Sequence, residues 1–421
     1  MSASGSLHPA ARAGSAPGPW LRLSAVAATA ATTLVVATGE WARAHQAAVL
    51  GALVLLLTVV AQVWFGHREL QSLVRASIAS VWVFLLQIGV GGLVAWSDGA
   101  GWATGIHIGL GGVAVATCAI TAALTFRPVV GPVRPLPWRD YLALTKPRIM
   151  VLLLLTAVAG TFVGAKGVPS AGLVLTVLGG LALACGGASA LNHVLDRDID
   201  QHMKRTDRRP VATGRVAPER ALEFGLALSA FSFVVLASFA NTLTAALAVF
   251  GNLFYVVVYT RYLKRSTPQN IVIGGAAGAV PAVVGYAAAT GNLALPALFL
   301  FLIVFYWTPP HFWALALLIR GEYEAARVPM LPVVRGERRT ARSILRYTIL
   351  MIGITLLPVL TGDLRWLYLG AAVALGLVFF GLSVALVRAT TTAHARALFH
   401  FSLLYLALLF VAMAIDPIVF S

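Results

Sequence analysis

The sequence predicts an all-α polytopic membrane protein with about 13 transmembrane helices, a nine-helix bundle preceded by a four-helix membrane bundle. Three observations predict it. Hydrophobic residues make up 59% of the 421 residues and charged residues 11%, whereas an average soluble domain carries roughly twice that charge. Apolar runs of roughly 20 residues recur along the whole chain, each long enough to cross a bilayer as a helix. The runs do not alternate polar and apolar residues as β-barrel strands do. Their backbones must therefore hydrogen-bond internally, as helices.

Residues 1–19, rich in Ala, Ser, Gly and Pro, predict a disordered cytoplasmic tail. Four spans follow at about 20–38, 45–65, 76–96 and 104–126, together a module over 20–126. Residues 127–140 hold four prolines and predict a linker. The larger domain covers 141–421, with spans at about 148–165, 171–195, 221–239, 242–259, 270–289, 295–319, 343–361, 366–388 and 397–416.

The formal net charge of +16 sits in short loops between the apolar runs. That is the pattern of cytoplasmic loops in a membrane protein, so the implied partner is the lipid bilayer and not nucleic acid. The basic loops 66–75, 127–148, 197–220, 261–269, 320–346 and 388–396 all fall on one side if the N-terminus is cytoplasmic. The expected setting is a bacterial cell membrane, crossed many times, with these loops in the cytoplasm. Cys118 and Cys185 lie inside apolar runs, and no CxxC motif is present, so neither a disulfide framework nor a thiolate metal site is expected.

The segment ALNHVLDRDIDQHMKRTDRRPVATGRV (190–216) carries the most chemistry. Asn192, Asp196 and Asp200 are spaced i, i+4, i+8, which on one helix forms a single stripe. An acidic stripe at the end of a span is costly unless it holds cations. Carboxylate and amide oxygens suit Mg²⁺ bridging to phosphates. The basic run Lys204, Arg205, Arg208 and Arg209 follows at once, and guanidinium forks match phosphate oxygens. The combination predicts a metal–diphosphate site, whereas a lone DxxxD would read as a solvated helix end. Asp198 lies on another face and is expected to pair with a neighbouring arginine. A second basic loop, IRGEYEAARVPMLPVVRGERRT (319–340), offers Glu322 as an opposing carboxylate and Arg320 and Arg327 for phosphate. A third, YTRYLKRSTPQN (259–270), offers Lys264 beside Arg261 and Arg265. Lys146 and Arg148, at the start of the first span of the larger domain, complete the diphosphate-binding candidates.

These residues resemble the UbiA superfamily of intramembrane prenyltransferases through N-x-x-x-D-x-x-x-D. The wording DRDID…MKRT..RP (196–210), LTKPRI (144–149), TPPHFW (308–313) and VPMLPVV (328–334) is similar to its protohaem IX farnesyltransferase branch. The resemblance covers about 138–417. It implies Mg²⁺ held by Asn192, Asp196, Asp200 and Glu322, with farnesyl diphosphate and protohaem IX as substrates. It further implies attack of a haem vinyl group on the allylic carbon, completed by water. Where that branch usually has Asp-Tyr, this chain has Glu322-Tyr323. His193 and His311 are candidates for contacting the haem substrate; His311 sits where Pro309 and Pro310 are expected to disrupt a span. A packed or interfacial histidine is the plainer alternative for His193, whereas a site role is the favoured reading of His311.

In the N-terminal module His45 and His107 stand near the starts of the second and fourth spans. Two imidazoles at equal depth can ligate one haem within a four-helix bundle, while two interfacial histidines are the plainer reading of the spacing alone. The motifs TGEWARAHQAAV (38–49), LLQIGVGGLV (85–94) and IHIGLGG (106–112) resemble one half of haem A synthase. That resemblance implies a b-type haem on His45 and His107. Ala42 stands where the family's oxidising half has Glu, so the implied role is holding haem or docking a partner such as haem A synthase. Two other functions fit parts of the sequence: a UbiA-type enzyme with a quinone-precursor acceptor, and a non-catalytic haem-binding protein or transporter. TPPHFW and VPMLPVV speak against the first. The position of Asp196 and Asp200 at a loop boundary, and not at mid-membrane, speaks against the second.

Overall fold

The computed structural model describes residues 17–37, 42–67, 69–96, 101–126 and 138–420. Among them 13 helices are long and apolar enough to cross a membrane, one for each span expected. Their ends run up to seven residues beyond the apolar windows, as at Ser266 where a span was expected to end at 259, and six at Glu337 where one was expected from 343. Charged first turns such as ERRTAR are compatible with a helix but invisible to hydropathy.

The chain divides into two units: residues 1–99 with 110–134, and residues 100–109 with 135–421. The first holds α1 (Pro19–Ala37), α2 (Ala42–Gly66), α3 (Gln71–Trp96) and most of α4 (Gly101–Phe126). Its interior is built on Leu56, Phe84, Ala114 and Cys118. Small hydroxyls join its helices: Ser80 meets Thr121 at 3.0 Å, and Thr32 meets Cys118 at 3.6 Å. Such short polar pairs hold helices together where lipid offers no hydrophobic drive for association.

The second unit opens with α5 (Trp138–Leu144). Its first three residues were expected to belong to the linker. They are helical instead. Then come α6 (Pro147–Ala165), α7 (Ala171–Leu195), the short α8 (Arg197–Asp200) and α9 (Pro218–Phe239). The eighth span is composite: α10 (Thr242–Leu253), a π-helical stretch (Phe254–Leu263) and α11 (Lys264–Ser266). The remainder are α12 (Asn270–Thr290), α13 (Leu295–Leu318), α14 (Arg320–Ala325), α15 (Leu331–Arg335), α16 (Glu337–Leu360), α17 (Trp366–Arg388) and α18 (Thr392–Val419).

Helix α12 is the most enclosed span and packs against α6, α10 and α13. Gly160 on α6 and Gly285 on α12 allow this approach: a Cβ on Gly285 would strike the Ala157 carbonyl, and one on Gly160 the Ala282 carbonyl. Small residues at such crossings let helix backbones meet in a membrane. Helix α13 runs unbroken through Pro309 and Pro310, contrary to the expected disruption. Proline removes one N–H and crowds one carbonyl, and neighbouring helices in a bundle tolerate this. Here Thr308 packs on Gly275 of α12, and Trp307 donates its indole N–H to the Ser402 carbonyl of α18 at 2.8 Å. Away from these, buried Asp416 on α18 accepts the Arg365 and Tyr368 N–H groups at 2.6 and 3.0 Å. A carboxylate from another helix thus caps the orphan donors at the start of α17.

Candidate active site

The site forms at the end of the second unit where α7 stops and the π-helical stretch, α11 and the 201–217 segment meet. Leu144 is held by Ser189 of α7, whose hydroxyl donates to its carbonyl at 2.6 Å. Two residues on, Lys146 takes a left-handed backbone (φ 50°, ψ 57°) directly before Pro147. For a non-glycine residue this costs roughly 1–2 kcal/mol, and it aims the chain back at α7. The Lys146 ammonium donates to Asn192 Oδ1 at 2.7 Å.

Asn192, Asp196 and Asp200 do not lie on one unbroken helix as expected. Helix α7 ends at Leu195, Asp196 has φ −92° and ψ 5°, and α8 begins at Arg197. The stripe survives the break. Asp196 N–H still bonds the Asn192 carbonyl at 2.9 Å, and Asp200 N–H the Asp196 carbonyl at 2.8 Å. All three side chains are buried, at 3%, 1% and 2% exposure. The Asn192 amide donates to Asp196 Oδ2 at 2.8 Å and to Thr260 Oγ1 at 3.1 Å.

Each carboxylate meets a cation. Lys264 donates to Asp196 Oδ2 at 2.5 Å. Arg209 forks onto both Asp200 oxygens at 2.8 Å each. Asp196 Oδ1 is buried with no hydrogen-bond partner among the described residues. A carboxylate oxygen left so is costly, and with the amide and second carboxylate it forms an all-oxygen donor set that fits a hard cation such as Mg²⁺. Removal from water, then the nearby Arg209 charge, pulls the Lys146 pKa well below the ordinary lysine value. A diphosphate alongside would supply the counter-charge that keeps it protonated.

The π-helical turn explains how Lys264 arrives. Its N–H reaches the Tyr259 carbonyl five residues back, the wide spacing that marks π-helix, often found at functional sites. Tyr255 and Tyr259 stack at 5.6 Å on this stretch. Asn252, one turn earlier, donates to Ser229 Oγ at 2.8 Å and the Ala184 carbonyl at 3.3 Å, tying α10 to α9 and α7. Thr260, Tyr255 and Asn252 had no signal in the sequence beyond polarity inside a span. Buried Tyr323 was visible only through its place beside Glu322.

Glu322 joins from α14, its carboxylate accepting the Arg205 backbone N–H at 3.2 Å. Among the described residues no group of three His, Cys, Asp or Glu side chains stands ready for a metal, and the Glu322 carboxylate bonds to the 201–217 segment. Glu322→Gln keeps an acceptor for that N–H but removes a charge. Turnover is expected to fall with a higher Mg²⁺ requirement; an unchanged magnesium titration would reduce Glu322 to a loop tether.

The remaining candidates separate. Arg320 pairs with Glu337 at 3.2 Å in a half-exposed setting, and Arg148, Lys204 and Arg208 are exposed. Arg205 contributes its backbone, not its guanidinium, to the one bond described for it here. Asp198 pairs with Arg265 at 2.6 and 2.7 Å, as expected of the off-stripe carboxylate; that bond holds its pKa at about 2. Buried His193 leaves both ring nitrogens without partners among the described residues. His311 is a packed histidine: it stacks between Trp307 at 4.4 Å and Phe399 at 4.9 Å, and its Nδ1 meets Ser402 Oγ at 2.6 Å. The His45 side chain lies outside the described residues, and His107 is half-buried in α4.

Known proteins place this arrangement. The model of the UbiA prenyltransferase family matches residues 153–410. A protoheme IX farnesyltransferase of Roseiflexus sp. is 42% identical over 408 residues, 90% of this chain and 76% of its own. One from Symbiobacterium thermophilum is 54% identical over 280 residues, 66% of this chain and 94% of its own. The second unit also shares its fold with a solved digeranylgeranylglyceryl phosphate synthase, at TM-score 0.57 and 18% identity over 67% of this chain and 98% of that one. The chain belongs to the UbiA prenyltransferase family and, within it, to the protoheme IX farnesyltransferases.

Proposed function

We propose that this chain transfers the farnesyl group of farnesyl diphosphate to a vinyl group of protohaem IX and, with water, makes haem O. The observation that carries the site assignment is the meeting of Lys146, Lys264 and Arg209 with Asn192, Asp196 and Asp200 at one end of an apolar bundle. Asn192, Asp196 and Asp200 are the residues that would hold Mg²⁺, with Glu322 at the rim. When bound, the metal supplies positive charge against the leaving diphosphate. Lys146, Lys264 and Arg209 orient that diphosphate and neutralise the charge it gains as the allylic C–O bond breaks. Tyr255, Tyr259 and Tyr323 line the approach and exclude water from the allylic carbon until the vinyl carbon has attacked. His193, buried next to Asn192 with free ring nitrogens, is the candidate contact for the haem substrate; the packing of His311 suits a structural role better. The site end of the bundle faces the cytoplasm of a bacterial cell, by the loop-charge pattern.

The acceptor is tested by competition. Offered protohaem and an aromatic quinone precursor together, with farnesyl diphosphate and Mg²⁺, the protein is expected to prenylate haem alone. Prenylation of the aromatic acid instead would refute the acceptor assignment while keeping the fold.

For the four-span module read from the sequence at 20–126, the proposal is a b-type haem on His45 and His107 and docking of haem A synthase. It is supported by the histidines' places at the starts of α2 and α4. The full chain purified after haem supply should give a low-spin bis-histidine spectrum, lost in His45→Ala and in His107→Ala separately. A spectrum kept in either variant would exclude the pair as ligands.

A further inference from the structure

We propose that Lys264 and Arg209 act as built-in counter-ions that keep a divalent metal off the carboxylates until a prenyl diphosphate draws them away, so that metal and diphosphate bind as a coupled pair. The inference rests on the metal–diphosphate reading of the site given above. Among the side-chain oxygens of Asn192, Asp196 and Asp200, only Asp196 Oδ1 lacks a hydrogen-bond partner. Asp196 Oδ2 is taken by Lys264 and Asn192, both Asp200 oxygens by Arg209, and Asn192 Oδ1 by Lys146. A hard divalent cation needs near-octahedral oxygen coordination. One open oxygen, in a cluster already neutralised by ammonium and guanidinium groups, falls short of that.

The geometry also says which partner moves. The carboxylates are fixed, at 1% and 2% side-chain exposure, while Lys264 and Arg209 reach in from long side chains that are 14% and 18% exposed. A diphosphate offers those cations stronger acceptors, in the bidentate geometry a guanidinium favours. Their transfer bares Asp196 and Asp200 for the metal. By linkage, diphosphate must then raise metal affinity by the same factor that metal raises diphosphate affinity.

The test uses the full chain in lipid nanodiscs, with no diphosphate present and Mn²⁺ as the probe, read by loss of the free-ion paramagnetic resonance signal. Wild type should bind Mn²⁺ weakly. Lys264→Met and Arg209→Met should each bind at least about tenfold more tightly, and adding Asp196→Asn to Lys264→Met should remove the gain. Lys264→Arg, which keeps the cation, should behave as wild type. So should Lys166→Met, an exposed charge outside the site. Melting curves establish that the variants are folded, and a tenfold gain in either folded variant supports the inference. A gain in neither overturns it. A separate arm keeps the two readings apart: Asp196→Asn should abolish Mn²⁺ uptake that depends on farnesyl diphosphate. If that uptake persists, the site assignment itself fails.

Discussion

Asp196→Ala and Asp200→Ala each lower farnesyl transfer by at least about 100-fold, the size of effect seen when a charge-stabilising group is removed from an active site. Each change acts twice. It removes an oxygen donor for the metal, and it leaves a cation unpaired in a nearly closed setting: Lys264 opposite position 196, Arg209 opposite position 200. The freed cation can no longer be held in register for the diphosphate. Asp198→Ala is the internal control. Its side chain is 64% exposed and its bond to Arg265 faces solvent, where ion pairs contribute little. Activity there should stay within about twofold of wild type. Rates measured in membranes with equal amounts of inserted protein decide the matter, and near-wild-type turnover in both alanine variants would remove the two aspartates from the chemistry.

The second large effect is on folding. Gly285→Leu should abolish recovery of folded protein, and Gly285→Ala should lower stability by about 1–3 kcal/mol, the usual range for overpacking. The Cβ of any residue at 285 meets the Ala157 carbonyl, which is backbone on α6 and cannot turn aside. Helices α6 and α12 would have to separate, and α6 begins one residue after Lys146, so the diphosphate end would loosen as well. Gly278 lies on the same helix with open space around its Cα. Gly278→Ala should be neutral or gain up to about 1 kcal/mol from helix propensity. Thermal melts in detergent compare the pair; equal melting points would mean that the α6–α12 contact tolerates a methyl group.

Much of this was legible in the sequence because lipid imposes a simple rule. A span must be apolar for about 20 residues, so each of the 13 spans announced itself, and the carboxylate stripe stood out against that background. What hydropathy cannot carry is a local change of helical geometry. The stop at Leu195, the π-helical turn at Phe254–Leu263 and the unbroken passage through Pro309 and Pro310 each depend on neighbours from other helices. The basic residues show the same limit. Nine were candidates from the sequence, but among the described residues only Lys146, Lys264 and Arg209 bring their side chains onto the Asn192–Asp200 stripe. Lys264 is separated from Asp196 by 68 positions, and its reach is set by a π turn that no local pattern encodes. Asn252 and Thr260 were hidden for a related reason: a single polar residue inside a span is read as packing until its partner is known. Asp416 likewise caps α17 from 48 to 51 positions away.

The central claim is transfer of farnesyl to haem with water completing the product. The purified protein in lipid nanodiscs, given protohaem, farnesyl diphosphate and Mg²⁺ in oxygen-18 water, tests it most directly by mass analysis of the extracted haem. The expected product is a haem heavier by one farnesyl group and one labelled hydroxyl, formed by wild type and not by Asp196→Ala. Unaltered haem alongside free farnesol, or a farnesylated haem carrying no label, would contradict it.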